Sequence, residues 1–279
     1  MTDQRWTVDA ILRVTKDFFA AKGIESARLD AELLLCHVTG LQRVQLYTHY
    51  DRPLSDAERD AYRELVRRRG TLEPVAYILG EREFYGRPFI VRPGVLVPRP
   101  ETEHLVDSVL EWARGAEPVR IADVGTGTGC IAVTLACELP AAQVVATDVE
   151  ETALALAIEN AAANGVSDRT EWLRRDLLPD GNYDAIVSNP PYIPEGDPRV
   201  AAGVHHHEPA SALYSGPDGL DVIRRLVAQA PSQLRPHGLL AFEIGAGQVR
   251  AVSDMLPEVR FVEDLQGISR IAVWHAPCD

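Results

Sequence analysis

The sequence is short of cysteine, of positive charge and of long apolar runs, and each shortage excludes something. Its four cysteines (Cys36, Cys130, Cys137 and Cys278) form no C-x-x-C pair and no disulfide-like framework. Thiol-bound metal and redox chemistry are therefore not expected, and the thiols read as small core hydrophobes. No apolar run approaches the roughly 20 residues that cross a bilayer, and the opening MTDQRWTVDA lacks the basic-then-apolar layout of a signal peptide. No membrane partner is expected, and a reducing cytoplasm fits best. Lys and Arg number 28 against 41 Asp and Glu, a net charge of −13. Duplex nucleic acid is bound largely by neutralising phosphates, so an acidic chain is not expected to bind it directly. The one dense basic run, Arg67, Arg68 and Arg69 beside Arg63, reads as a solvated helix end that complements the helix dipole. Internal repeats and low-complexity segments are also absent.

What is present is enough for a well-packed large domain and a smaller one: 279 residues, 46% of them hydrophobic. Residues 1–80 read as a small bundle of amphipathic helices. The first runs over 7–21 with Val8, Ile11, Leu12, Val14 and Phe18 at three-to-four spacing; the second starts near Ser26, carries Leu29, Leu33, Leu34 and Val38, and stops at Gly40. A third starts at Ser55 with Glu58 as its capping box and ends at Gly70. Residues 81–100, rich in Pro and Gly between short apolar runs, predict a β-hairpin and connector. From 101 to 279 helices and strands alternate, with strands expected to end at Val124, Asp148, Arg174 and Asn189, a further one over 238–244, and two more near the end. That alternation predicts an α/β domain with a mostly parallel sheet and helices on both faces. Ligands then gather at the carboxyl ends of the strands.

Asp123-Val124-Gly125-Thr126-Gly127-Thr128-Gly129 follows one such strand and opens a helix. Glycines allow a tight turn and close approach of a ligand to the backbone. A dinucleotide loop, G-x-G-x-x-G, would need glycine at position 130, where Cys130 stands; this disfavours a nicotinamide dehydrogenase and favours a nucleoside cofactor without a pyrophosphate. Asp148 ends the next strand, where a carboxylate binds ribose hydroxyls or caps the following helix. Asp176, with Leu177, ends the third strand in the same way and borders the adenine in this reading; a strand-end Asp is also an ordinary turn residue.

Ser188-Asn189-Pro190-Pro191-Tyr192 closes the fourth strand. Consecutive prolines cannot continue a ladder and fix a rigid loop. The Asn189 amide oxygen and the Pro190 carbonyl can both accept hydrogen bonds from one substrate NH₂ group. An amide nitrogen is a weak nucleophile because its lone pair is delocalised; two acceptors out of the amide plane favour a pyramidal nitrogen with a localised pair. Tyr192 can hold the planar group by stacking. Catalysis is then positioning and electrostatics, without a metal or a covalent intermediate. The catalytic candidates are Asn189, Pro190 and Tyr192, with Pro191 beside them at the substrate.

These motifs, together with Pro74-Val75-Ala76-Tyr77-Ile78-Leu79-Gly80, Glu81-Arg82-Glu83-Phe84-Tyr85-Gly86, Val97-Pro98-Arg99-Pro100-Glu101-Thr102-Glu103, Glu208-Pro209-x-x-Ala212-Leu213 and Gly216-x-x-Gly219-Leu220, resemble the peptide chain release factor N5-glutamine methyltransferases, the PrmC or HemK family. The resemblance covers nearly the whole chain. It implies a Rossmann-like class I methyltransferase domain with a seven-stranded, mostly parallel sheet and a helical substrate-recognition domain. It implies S-adenosyl-L-methionine as cofactor, S-adenosyl-L-homocysteine as product, and the glutamine of the Gly-Gly-Gln loop of class-one release factors as substrate. By the same carry-over Gly125, Thr126, Gly127, Thr128, Gly129, Asp148, Asp176, Leu177 and Asn189 contact the cofactor, and Asn189 through Tyr192 hold the glutamine. Arg99, Pro100 and Glu101 border the pocket. Two features depart from the pattern: Leu177 stands where relatives often have an aromatic, and His205, His206 and His207 precede Glu208 without metal-ligand spacing, so they read as loop residues. The rivals are a DNA adenine-N6 methyltransferase, which shares N-P-P-Y but needs a basic recognition domain and base flipping, and a non-catalytic translation-associated binding protein.

Overall fold

The computed structural model describes residues 6–115 and 119–278. The chain divides into two compact units, Met1–Gly80 with Ala201–His207, and Glu81–Val200 with Glu208–Asp279.

The first unit is helical: α1 (Val8–Ala21), α2 (Ala27–Thr39), α3 (Arg43–Thr48), α4 (Asp56–Arg69) and α5 (Val75–Leu79). Each expected helix forms where its caps put it. Thr7 accepts the Ala10 amide at the start of α1, Gly40 closes α2 in the left-handed region at φ 69°, and both arms of the Ser55–Glu58 capping box are made. The buried faces match the expected ones only in part. In α1 it is Val8, Ile11, Thr15 and Phe19 that are buried, while Val14 and Phe18 are exposed. In α2 Leu34 is buried and Leu29 exposed, and two acids, Asp30 and Glu32, are buried with it. Glu32 takes hydrogen bonds from Arg28 at 2.9 Å, from Arg43 at 2.7 Å and from the Tyr47 hydroxyl. Asp30 pairs with Arg69 at 2.7 Å, and only 14% of that arginine side chain is exposed. The arginine run is thus not uniformly solvated. Arg67 binds exposed Glu64, but Arg69 is drawn inward by a partner 39 residues away, which no local pattern encodes.

The second unit opens with an antiparallel hairpin, β1 (Glu81–Phe84) and β2 (Arg87–Ile90), turned at Tyr85 and Gly86, both at positive φ. There follow along the chain α6 (Glu103–Trp112), β3 (Arg120–Val124), α7 (Cys130–Glu138), β4 (Gln143–Asp148), α8 (Glu151–Ala163), β5 (Thr170–Arg174), β6 (Tyr183–Ser188), then α9 (Ala202–His207), which belongs to the first unit, and α10 (Asp221–Gln229), β7 (Leu234–Glu243), α11 (Val249–Met255), β8 (Arg260–Glu263) and β9 (Ser269–His275) of the second. Among the described residues seven strands form one sheet in the order β5-β4-β3-β6-β7-β9-β8. The first five are mutually parallel, and β9 runs antiparallel between β7 and β8. This is the expected mostly parallel α/β sheet. β3 and β6 sit near its centre, covered on one face by Leu105, Val109 and Leu135 and on the other by Ile223, Leu226 and Val227. Burial on both faces explains the apolar runs Ile121-Ala122 and Ala185-Ile186-Val187 within them.

The three histidines correct the expectation of a loop. They lie in α9, which belongs to the helical unit although it falls late in the chain. Gly203 admits this packing: a Cβ there would stand 2.8 Å from the Leu72 carbonyl oxygen. The His207 imidazole meets the Thr71 carbonyl at 3.1 Å. Among the described residues no group of three His, Cys, Asp or Glu side chains is placed to hold a metal ion, and no helix is long and apolar enough to cross a membrane.

Candidate functional site

A cleft of about 170 Å³ opens at the carboxyl ends of β3, β4 and β6. Its walls are largely apolar, with Val95, Val97, Ile131 and Ala153 among them. The loop after β3 forms one side. Gly125, Gly127 and Gly129 all hold positive φ (71°, 56° and 80°), a region that side chains with a Cβ adopt only under strain. Nothing lies within 4 Å of a Cβ position on Gly125, and only Val95 comes near that of Gly127. The loop backbone therefore faces open space where a ligand can approach. Gly129 does something else: its Cβ would meet the Ala157 Cβ at 2.9 Å and the Trp172 ring at 3.2 Å. It lets α7 and α8 close together behind the loop and does not itself line the cleft.

Asp123 anchors this loop from beneath. It is fully buried; one carboxylate oxygen accepts from the Thr126 hydroxyl (2.6 Å) and the Ala132 amide (3.2 Å), and the other has no partner among the described residues. Burial pushes its carboxyl up to about 7. Asp148, at the end of β4, accepts from the Gly127 amide and from the Glu150 amide, each at 2.9 Å. It thus braces the glycine loop and the approach to α8 together, and burial holds its carboxyl above the usual range. Leu177 is buried at φ 61°, with its carbonyl held by the Thr147 hydroxyl at 3.0 Å, and supplies an apolar wall. Asp176 borders the cleft too, but its carboxylate pairs with Arg225 at 2.5 Å in an exposed position. Open loop backbone, an apolar wall and a strand-end carboxylate suit a nucleoside-bearing cofactor.

The N-P-P-Y loop forms the other side. Asn189, Pro190 and Pro191 line the cleft, whereas Tyr192 does not. The Tyr192 hydroxyl donates to Glu243 at 2.9 Å, its ring lies against Gly245, and its carbonyl accepts from Gln248 at 3.0 Å. In this arrangement Tyr192 is an anchor of the loop. Asn189 donates from Nδ2 to the Thr102 hydroxyl at 3.0 Å, and Thr102 donates to Glu243 at 2.7 Å. Among the described residues neither Asn189 Oδ1 nor the Pro190 carbonyl takes a hydrogen bond. Two neighbouring residues that line the cleft thus each carry an acceptor without a protein partner.

Two residues that shape the site, Glu243 and Asn160, were not singled out from the sequence, and four others, Thr102, Arg99, Glu208 and Gly219, entered only through their motifs. Glu243 ends an apolar strand as Asp148 does, and that position was the available signal. Thr102 belongs to the connector motif but carries no chemistry until Asn189 and Glu243 are brought to it. Arg99, which lines the cleft, pairs at 2.6 Å with Glu208, whose side chain is 1% exposed; this gives the Glu208-Pro209 motif a structural reason. Asn160 ties β2 to the glycine loop through Ile90 and the Thr128 carbonyl. Gly219 is required because a Cβ would stand 2.2 Å from the Tyr192 carbonyl oxygen.

Comparison with known proteins gives a consistent picture. The model of the PrmC N-terminal domain matches residues 10–80, and that of the methyltransferase small domain matches residues 102–207. The chain is 43% identical over 284 residues to the release factor glutamine methyltransferase of Rhodopirellula baltica, covering 96% of each. It is 43% identical over 275 residues to that of Geobacter sulfurreducens, covering 95% of each. Among solved structures, the hMettl16 catalytic domain in complex with a MAT2A 3′UTR hairpin shares the fold at a TM-score of 0.57 and 18% identity, over 75% of this chain and 82% of that one. The T. thermophilus 16S rRNA N2 methyltransferase RsmC, in complex with AdoMet and guanosine, does so at a TM-score of 0.51 and 19% identity, over 71% and 50%.

Proposed function

The chain belongs to the release factor glutamine methyltransferase family, and we propose that it methylates the side-chain amide nitrogen (N5) of the glutamine in the Gly-Gly-Gln motif of class-one peptide chain release factors. S-adenosyl-L-methionine supplies an electrophilic methyl group on a sulfonium sulfur and leaves as S-adenosyl-L-homocysteine. Gly125, Thr126, Gly127 and Thr128 offer backbone to it, Gly129 permits the packing behind that backbone, Asp148 faces its ribose, and Leu177, beside Asp176, gives an apolar surface to its base.

The observation that carries the reading is the pair of unpartnered acceptors, Asn189 Oδ1 and the Pro190 carbonyl, on residues that line the same cleft as the glycine loop. A substrate NH₂ has two donors to match them. Held by both, the nitrogen is turned out of conjugation and its lone pair is directed into the cleft. Pro190 and Pro191 keep the acceptors rigid, so little reorganisation is needed during reaction. The amide proton departs after the methyl arrives, so no strong base is required of the chain. The helical unit, residues 1–80, grips the release factor in this reading, and the reaction belongs to the cytoplasm.

The test offers labelled S-adenosyl-L-methionine and the full chain three acceptors: a class-one release factor, the same factor with its Gly-Gly-Gln glutamine replaced by alanine, and duplex DNA. Label in the first alone is expected. Label in the DNA, or equal label in both factors, overturns the reading.

A further inference from the structure

Glu243 is a carboxylate where the sheet would otherwise bury an aliphatic side chain. It ends the run Leu239-Leu240-Ala241-Phe242 on β7 and is 1% exposed. Burying a carboxylate is costly unless each oxygen is matched by a donor, and here each is. One oxygen accepts from the Thr102 hydroxyl at 2.7 Å and the other from the Tyr192 hydroxyl at 2.9 Å. Both donors abut the N-P-P-Y loop, Tyr192 as its last residue and Thr102 as the partner of its first.

With the Glu243 carboxylate ionised, the polarity of this chain of bonds is determined. A threonine hydroxyl has one proton. With that proton directed at Glu243, Thr102 Oγ1 can only accept on its other side, and it faces Asn189 at 3.0 Å. The Asn189 group turned toward it must then be the NH₂, which leaves Oδ1 for the cleft. Reversing the Thr102 hydroxyl would reverse the amide and present a donor where the substrate NH₂ needs an acceptor.

Resting on the function read above, we propose that Thr102 and Glu243 are positioning residues for methyl transfer: Glu243 sets the direction of the Thr102 hydroxyl, and Thr102 thereby fixes Asn189 with its oxygen toward the substrate. Neither needs to touch the substrate. The Glu243–Tyr192 bond pins the far end of the same loop, so one carboxylate determines both the orientation and the placement of the acceptors.

The experiment compares the full chain with Thr102→Val, which keeps the shape and removes the hydroxyl, Thr102→Ser, which keeps the hydroxyl, and Glu243→Gln. Each is assayed for kcat and KM with a class-one release factor, for direct binding of S-adenosyl-L-methionine, and for thermal unfolding. Misplacing a reacting group by about 1 Å costs up to roughly 100-fold in rate. The expected result is a kcat lowered roughly 10- to 100-fold in Thr102→Val, with cofactor affinity nearly unchanged and kcat restored in Thr102→Ser. Glu243→Gln, which keeps one acceptor oxygen but replaces the other by a donor, is expected to lower kcat as well. A wild-type kcat in Thr102→Val, or equal losses in the Val and Ser variants, overturns the proposal. Should Thr102→Val not fold, the decision passes to Glu243→Gln, where an undiminished kcat overturns it. A wild-type chain that transfers no methyl group to the release factor refutes the functional reading itself, whereas turnover that is indifferent to Thr102 refutes only the positioning.

Discussion

Asp123 and Glu243 are both buried carboxylates at strand ends, one under each wall of the cleft, and they hold those walls by opposite means. Asp123 binds partners close in sequence, Thr126 and Ala132, three and nine residues on, and leaves one oxygen without a partner. Above it the glycine loop turns through glycines at positive φ, and its neighbours bind it mainly through its main chain: Thr147 and Asp148 take its amides and Asn160 its Thr128 carbonyl. Glu243 binds partners 141 and 51 residues away, and both of its oxygens are engaged. The N-P-P-Y wall is therefore an assembly of side chains from three distant segments. A wall built from local conformation suits a cofactor approached through main chain. A wall of converging side chains suits discrimination of one substrate group.

The sharpest way to break this contrast is at the substrate wall. Asn189→Ala removes one of the two acceptors and is expected to lower methyl transfer roughly 10²- to 10³-fold, as loss of a preorganised hydrogen-bonding group does in other active sites. Cofactor binding, measured by titration, should fall far less than methyl transfer, since Asn189 is one of several cofactor contacts. At the cofactor wall Gly129→Ala is the severe change. Its Cβ would stand 2.9 Å from that of Ala157 at φ 80°, and overpacking with a left-handed alanine is expected to cost about 2–4 kcal/mol in urea unfolding. Comparable cofactor affinity and stability in Gly129→Ala would remove the claim that this wall depends on backbone geometry.

A pH comparison separates the two carboxylates further. Folded Asp123 keeps its proton up to about pH 7, whereas the unfolded chain releases it near the ordinary Asp range of about 4. Its contribution to stability is complete below about pH 4 and declines as the pH rises toward 7. Asp123→Asn should abolish that decline, so that the variant gains on the wild type across this window by an amount on the order of a few kcal/mol. Unfolding free energies measured at several pH values check the sign. The smallest effect is expected at Asp176→Asn. Its carboxylate is engaged in an exposed pair with Arg225, worth at most about 1 kcal/mol, so cofactor affinity should change by less than about fivefold.

The same division governs what could be read from the sequence. The parallel sheet, the glycine loop and Asp148 were legible because alternating apolar segments, glycines and strand-end acids are local signals. Ser55 and Glu58 announced the start of α4 for the same reason. The buried faces of α1 and α2 were displaced by about one position, since a 3.6-residue period over so short a stripe fits neighbouring rotations nearly equally well. Arg69 was read with its neighbours as a solvated helix end, and Asp30 and Glu32 were not singled out, because burial of an ion pair depends on helices meeting across the bundle. The histidines of α9 were misread as loop because six residues are too few to show a period, and the contact that orders them lies at Leu72. At the site, Asn189 was visible as a motif. Its orienting partners were not: Thr102 is 87 residues away, and only the packing of β6 beside β7 brings Glu243 within reach.

The central claim is that two acceptors on the N-P-P-Y wall select a side-chain NH₂ group as the site of methylation. Fragment mass spectrometry of a class-one release factor, after incubation with the full chain and S-adenosyl-L-methionine, tests it most directly. The expected product carries one methyl group, on the amide nitrogen of the Gly-Gly-Gln glutamine. A methyl group on a carboxylate or hydroxyl oxygen, or none at all under conditions where cofactor binding is measured, would contradict it.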